Sequence, residues 1–131
     1  MRLLVDTNRF ADLAANNRRA HERLQNAAEL WFSVITLGEL RAGFIRGTRS
    51  QENEQRLGQL LELQGVGVLL LDRDTTLLYA DIWKHLSRIG RKIPTNDAWI
   101  AAQALQHDLT LDTSDAHFRL VPQLKLIDEF T

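Results

Sequence analysis

The sequence predicts an α/β protein, a single three-layer α/β/α sandwich around a mostly parallel sheet of four to five strands. Three observations carry this. Short apolar runs alternate with longer stretches of helical spacing along the 131 residues, the pattern of strands joined through helical crossovers. The strand runs are continuously apolar rather than alternating, as in strands buried on both faces. No repeat, low-complexity tract or Pro/Gly/Ser-rich linker divides the chain, and its two prolines, Pro94 and Pro122, stand singly. Residues 1–131 are therefore expected to form one domain.

The elements follow in order. Leu3-Leu4-Val5 reads as a buried strand, and Asp6-Thr7-Asn8 supplies capping chemistry for a helix through Phe10, Leu13 and Ala14. A second helix fits residues 20–28, anchored by Leu24. Residues 30–34 read as a second strand, and Thr36 opens a helix through Leu37, Leu40 and Phe44 that ends near Gly47. Residues 50–64 place Leu57, Leu60 and Leu61 on one helical face. Val66 to Leu71 is a third strand. Residues 74–89 carry Leu78, Ile82, Leu86 and Ile89 at helical spacing, and Gly90 caps that helix. Residues 96–107 form the last helix, and 109–111 and 124–127 the last strands. Periodicity does not give the strand order.

Composition narrows the function. Hydrophobic residues make up 44% and charged residues 25%, as in ordinary globular proteins. The absence of cysteine excludes disulfides, thiolate zinc sites and cysteine nucleophiles. The opening MRLLVDTN is too short and too soon acidic to read as a secretion signal. No apolar run approaches the ~20 residues that span a bilayer. A cytoplasmic protein without membrane association is expected. The net charge of −1 neither supports nor excludes a nucleic-acid substrate. A site that holds divalent cations tolerates acidic walls, because the ions supply the charge that phosphate requires.

Four acids stand out, because sites in open α/β sheets lie beyond the carboxyl ends of the strands. Asp6 directly follows the first strand, Asp115 follows the fourth, and Asp97 lies in the first turn of a helix. Glu39 lies one turn into the helix after the second strand and can point to the same edge. Each has a bland reading. Asp6 caps the first helix, Asp97 complements a helix dipole, Asp115 is a turn residue, and Glu39 completes a capping box with Thr36. Four together are harder to dismiss, because clustered carboxylates raise one another's pKa unless a cation neutralises them. Oxygen-only ligands select a hard cation, Mg²⁺ or Mn²⁺, and two such ions ~4 Å apart suit phosphodiester cleavage.

Other chemistries lack support. His21, His85, His107 and His117 show no metal-ligand spacing and are expected at the surface. No G-x-S-x-G elbow, dinucleotide fingerprint or P-loop spacing occurs. Trp31, Trp83 and Trp99 are expected in the core.

The segments L-L-V-D-T-N at 3–8, S-V-I-T-L-G-E-L-R-A-G at 33–43, N-D-A-W-I-A-A at 96–102 and T-S-D-A-H-F at 113–118 together resemble the PIN-domain nucleases. The match is greatest to the VapC-type toxins of bacterial toxin–antitoxin pairs, and it covers nearly the whole chain. The resemblance implies an endoribonuclease dependent on Mg²⁺ or Mn²⁺ that cuts tRNA, rRNA or mRNA, leaving a 5′-phosphate and a 3′-hydroxyl. It implies that Asp6, Asp97 and Asp115 bind metal and that Glu39 orients the attacking water or holds a second ion. Thr7, Asn8, Asn96 and Thr113 would support them by hydrogen bonds. It also implies a homodimer and a VapB-like antitoxin that lays a helix into a groove, for which residues 43–61, with Phe44, Ile45, Leu57 and Leu60, are the candidates. Arg9, Arg41, Arg46 and Arg91 are the candidate RNA contacts. Asp112 departs from the pattern, standing where an apolar residue is usual, either as an additional acid of the site or as the frayed end of a strand.

Three rivals remain at this point. A phosphoacceptor domain would use Asp72 after the third strand, but it wants a lysine at the end of the last strand, and Lys125 lies inside it. A binding module that lost its activity gains nothing from clustered acids. A flap-type DNA nuclease needs a helical arch for which this chain has no length.

Overall fold

The computed structural model describes residues 1–127. Its elements are β1 (Arg2–Val5), α1 (Thr7–Ala14), α2 (Arg18–Asn26), β2 (Glu29–Ser33), α3 (Val34–Arg46), α4 (Ser50–Leu61), β3 (Val66–Leu69), α5 (Arg73–Arg88), α6 (Thr95–Gln106) and β4 (Thr110–Asp112), followed by a 3₁₀ turn over Ala116–Leu120. The four strands are all parallel, in the order β3-β2-β1-β4. The expected strand at 124–127 is reduced to a single parallel bridge between Leu126 and Leu111. Two backbone hydrogen bonds flank it, Leu111 N–H to Lys125 O at 2.8 Å and Ile127 N–H to Leu111 O at 3.1 Å.

The sheet is covered on both faces, which is why its strands read as unbroken apolar runs. Side chains alternate across a strand, so Leu3 and Val5 join one core and Leu4 the other. The first core packs Leu3, Val5, Leu30 and Phe32 against Phe10 of α1, Leu37, Leu40 and Phe44 of α3, and Leu57 of α4. The second packs Leu4 and Leu111 against Ile82 and Leu86 of α5 and Ile100, Ala101 and Ala104 of α6. Small alanines along α6 let it lie close to the sheet.

Several local expectations are corrected. The α3 helix begins two residues before Thr36, with Ser33 as its cap, the Ser33 hydroxyl accepting from Ile35 N–H. Thr36 is therefore inside the helix, and its capping box with Glu39 does not form. The third strand ends at Leu69; Leu70 and Leu71 are exposed where the chain leaves the edge of the sheet. Ile89 lies past the end of α5 and is half-exposed. Gly90 adopts the left-handed conformation after the helix, φ +67°, as expected of its capping position. Trp83, expected in the core, is 60% exposed. It lies beside the buried stripe of Ile82 and Leu86 rather than on it, while Trp99 is partly buried and stacks on Tyr79 at 3.9 Å.

Candidate active site

The strand order reverses at β1. The chain steps from β1 outward to β2 and β3, then crosses back to place β4 on the other side of β1. Such a switch point leaves a crevice beyond the carboxyl ends of the two diverging strands. Asp6 follows β1 and Thr113 follows β4, and Asp6 N–H donates to Asp112 O at 3.0 Å across the gap. An open cleft of about 580 Å³ lies there, lined by Asp6, Thr7, Asn8, Glu39, Asn96, Asp97 and Asp115, among others. All four acids singled out in the sequence thus meet in one cleft.

Each is held by its element. Asp6 caps α1, accepting from Thr7 N–H at 2.8 Å. Its other oxygen accepts from the Thr113 hydroxyl at 2.7 Å and from Asn8 Nδ2 at 3.2 Å. The Asn8 amide also donates to Asp115 Oδ2 at 3.2 Å, and its Oδ1 accepts from Ser114 N–H at 3.0 Å. Asn8 therefore ties the start of α1 to the loop after β4. The Thr113 hydroxyl accepts from Asp115 N–H at 3.1 Å. Across the cleft the Thr7 hydroxyl donates to Glu39 Oε1 at 3.0 Å. Thr7, Asn8 and Thr113 thus each hydrogen-bond a cleft acid; Asn96 lines the cleft without such a bond among the described residues.

The bland and functional readings coexist at Asp6, which is both a helix cap and a cleft acid. At Glu39 the bland reading fails, since its partner is a side chain 32 residues away.

Electrostatics match the crowding. Burial pushes the Asp6 carboxyl above its usual range and Asp115 adds to this, against the opposing bonds from Thr113 and Thr7. The Asp97 carboxyl is pushed up to about 6, first by burial and then by the charges of Asp6 and Glu39, with His117 opposing.

His117 was expected at the surface and is instead part of the site. Its Nε2 lies 2.7 Å from Asp97 Oδ2. Asp97, Asp115 and His117 each offer a ligand atom within 4.8 Å of the others. The 3₁₀ turn over Ala116–Leu120 brings the imidazole back over Asp97. The spacing Asp115-Ala116-His117, directly after a strand end, was the available signal.

Asp112 is neither a cleft acid nor frayed. It is buried and accepts from Arg9 Nε and Arg23 Nε, both at 2.9 Å. Arg9 accordingly is no RNA contact: it is 6% exposed and also bonds Asp12 and the Thr113 carbonyl. Arg41 pairs with Glu54 at 2.7 Å, linking α3 to α4. Arg46 and Arg91 are exposed. Asp72 belongs to a capping box on α5 with Thr75, and Gln106 Nε2 donates to it at 2.9 Å, which holds its carboxyl below the usual range. It lies off the cleft, which removes the footing of the phosphoacceptor reading.

Comparison with known proteins agrees with this geometry. The PIN domain family model matches residues 3–124. Ribonuclease VapC4 of Mycobacterium tuberculosis is 30% identical over 126 residues, 96% of this chain and 95% of that protein. Ribonuclease VapC5 of the same organism is 35% identical over 86 residues, 66% of this chain and 64% of that protein. Among solved structures, VapBC-1 of nontypeable Haemophilus influenzae superposes with a TM-score of 0.85 at 28% identity, covering 98% of each chain. VapBC2 of Rickettsia felis, solved on a promoter DNA fragment, shares the fold at a TM-score of 0.85 and 23% identity, over 97% of this chain and 98% of that one. The chain belongs to the PIN-domain family, with VapC ribonucleases among its relatives.

Proposed function

We propose that this chain is a divalent-metal-dependent endoribonuclease, the toxin of a toxin–antitoxin pair, confined to the cytoplasm. One observation carries the reading: four carboxylates from separate stretches of chain line one cleft, where burial first, and then the charges of Asp6 and Glu39, push Asp97 up to about 6. A hard divalent cation relieves that repulsion, and an oxygen-rich donor set suits Mg²⁺ or Mn²⁺. Asp97 and Asp115 are the residues to hold it, with Asp6 and His117 at their sides. Bound there, such an ion supplies positive charge at the scissile phosphate and makes water a better nucleophile.

The chain's own groups supply positioning. Asn8 and Thr113 fix the Asp6 and Asp115 carboxylates before any substrate arrives. Glu39 is held through one oxygen by Thr7, and among the described residues no protein donor binds the other. That free oxygen is placed to orient the attacking water and take its proton.

The antitoxin reading is supported by the VapBC-1 complex among the similar structures and by a groove of about 620 Å³ between α1, α3 and α4. The groove shares Thr7, Asn8 and Glu39 with the cleft, so an inserted helix would cover the acids. Phe44 forms part of its lining, and Arg46, Arg49 and Arg56 ring it. Leu57, named with Phe44 from the sequence, is wholly buried beneath, whereas Ile45 is 78% exposed. The implied homodimer is read by light scattering.

The test is expression of the chain alone in a bacterial host, with sequencing of RNA 5′ ends. Growth arrest and new 5′ ends are expected, and both should vanish in Asp97→Asn. Unchanged cleavage by that variant would refute the assignment.

A further inference from the structure

A second cavity of about 470 Å³ lies beside the acidic cleft, between the end of α5 and the start of α6. Thr95 lines both, so the two spaces adjoin at the α6 N-terminus. One wall is Trp83, Leu86 and Ser87, at helical spacing on α5, with Gly90 just past its end. Ala98 of α6 and Ile93 also line the notch. Arg91 and Lys92 stand at its mouth; both are exposed, and neither makes an ion pair among the described residues. Trp83 is 60% exposed and shares the notch with these two uncommitted cations.

We propose that this notch is a nucleotide subsite of the nuclease, in which one unpaired base of single-stranded RNA stacks on Trp83 while Arg91 and Lys92 hold the neighbouring phosphates. The inference rests on the nuclease reading above and adds where the strand runs: from the acids, past Thr95, onto α5. Charge complementarity favours this occupant. The cleft acids repel a polyanion, so the strand needs a cationic hold nearby, and these two residues supply one next to the site. Single-strand sites recur as an aromatic platform beside a basic track, and stacking tolerates any base.

The test is fluorescence anisotropy of a short fluorescein-labelled single-stranded RNA, titrated with the chain in an Asp97→Asn background to suppress cleavage. Trp83→Ala should weaken binding about tenfold, and Trp83→Phe, which keeps a ring, less than threefold. Removing both Arg91 and Lys92 should flatten the slope of log K against log salt by about 1.4, the value for two lost phosphate contacts on a single strand. With Asp97 intact, Trp83→Ala should raise KM for cleavage about tenfold and kcat should move far less. Equal RNA affinity for Trp83→Ala and the parent, in a chain that still cleaves RNA, overturns the subsite and leaves the nuclease reading standing. A parent that neither binds nor cleaves RNA overturns both. Conversion of a dimer to a monomer by Trp83→Ala with unchanged affinity per protomer also overturns the subsite, since the face is then a contact between copies. Trp83→Phe and the Arg91/Lys92 variant decide the matter if Trp83→Ala fails to fold.

Discussion

Asp112 binds α1 and α2 to the end of β4, and its replacement by asparagine measures how much the site depends on that tie. The Asp112 side chain is 6% exposed and its partners Arg9 and Arg23 are 8% and 15% exposed, each pairing at 2.9 Å. Removing one partner of a buried ion pair costs about 3–5 kcal/mol, because the remaining charge stays desolvated. Arg9 keeps Asp12 and the Thr113 carbonyl, so the lower end applies, about 3 kcal/mol. For a chain of this size that lowers Tm by on the order of 10 °C. Urea melts of Asp112→Asn and the parent, analysed at constant m-value, give the difference directly. Because Asn8 precedes Arg9 and bridges Asp6 to Asp115, RNA cleavage should fall as well, at temperatures where the variant is still folded. A loss below about 1 kcal/mol would refute the reasoning. It would mean that water reaches the cluster and screens it as at a surface.

In metal-free buffer, Asp97→Asn should stabilise the fold at neutral pH. A carboxyl raised from 3.8 to about 6 makes the folded state bind the proton more tightly. Stability is thus lost as pH rises between about 4 and 6 and stays low above. The shift corresponds to about 3 kcal/mol, reduced to about 1–2 kcal/mol by solvent in the open cleft. The gain should disappear at pH 4, and thermal melts of both proteins across pH 4–7 check it. Glu39→Gln keeps an acceptor for the Thr7 hydroxyl but loses the charge, so stability should stay within about 0.5 kcal/mol while cleavage drops about a hundredfold; single-turnover rates decide this. At Gly67 a Cβ would fall 2.6 Å from Trp31 Cζ3 and 2.9 Å from its Cε3. Gly67→Ala should therefore cost about 1–3 kcal/mol in urea melts, by displacing the indole.

What the sequence showed and what it hid divide along physical lines. Leu3-Leu4-Val5 and the other apolar runs were legible because burial on both faces leaves no polar position. Asp6 and Asp115 were legible because parallel sheets gather strand ends at one edge, and Asp97 because it stands in the first turn of a helix. The pairing of Asp112 with Arg9 was not, since an ion pair between residues 103 apart depends on packing that no local pattern encodes. The anomaly of an acid inside an apolar run was its only trace. His117 was misplaced because a 3₁₀ turn, not a periodic element, aims it at Asp97, 20 residues away in sequence. Trp83 was misread because an aromatic at the edge of a helical stripe satisfies the same spacing as one inside it. The start of α3 was misplaced for a related reason: Ser33 ends a strand and caps a helix at once, so no loop residue marks the change.

The central claim is that the convergent carboxylates of the cleft exist to hold divalent cations. Isothermal titration of Mn²⁺ into the metal-free protein tests it most directly. Saturable binding is expected, abolished in Asp97→Asn and accompanied by a rise in Tm of the parent alone. Equal Mn²⁺ binding by the parent and by Asp97→Asn, or no binding by either, would contradict it.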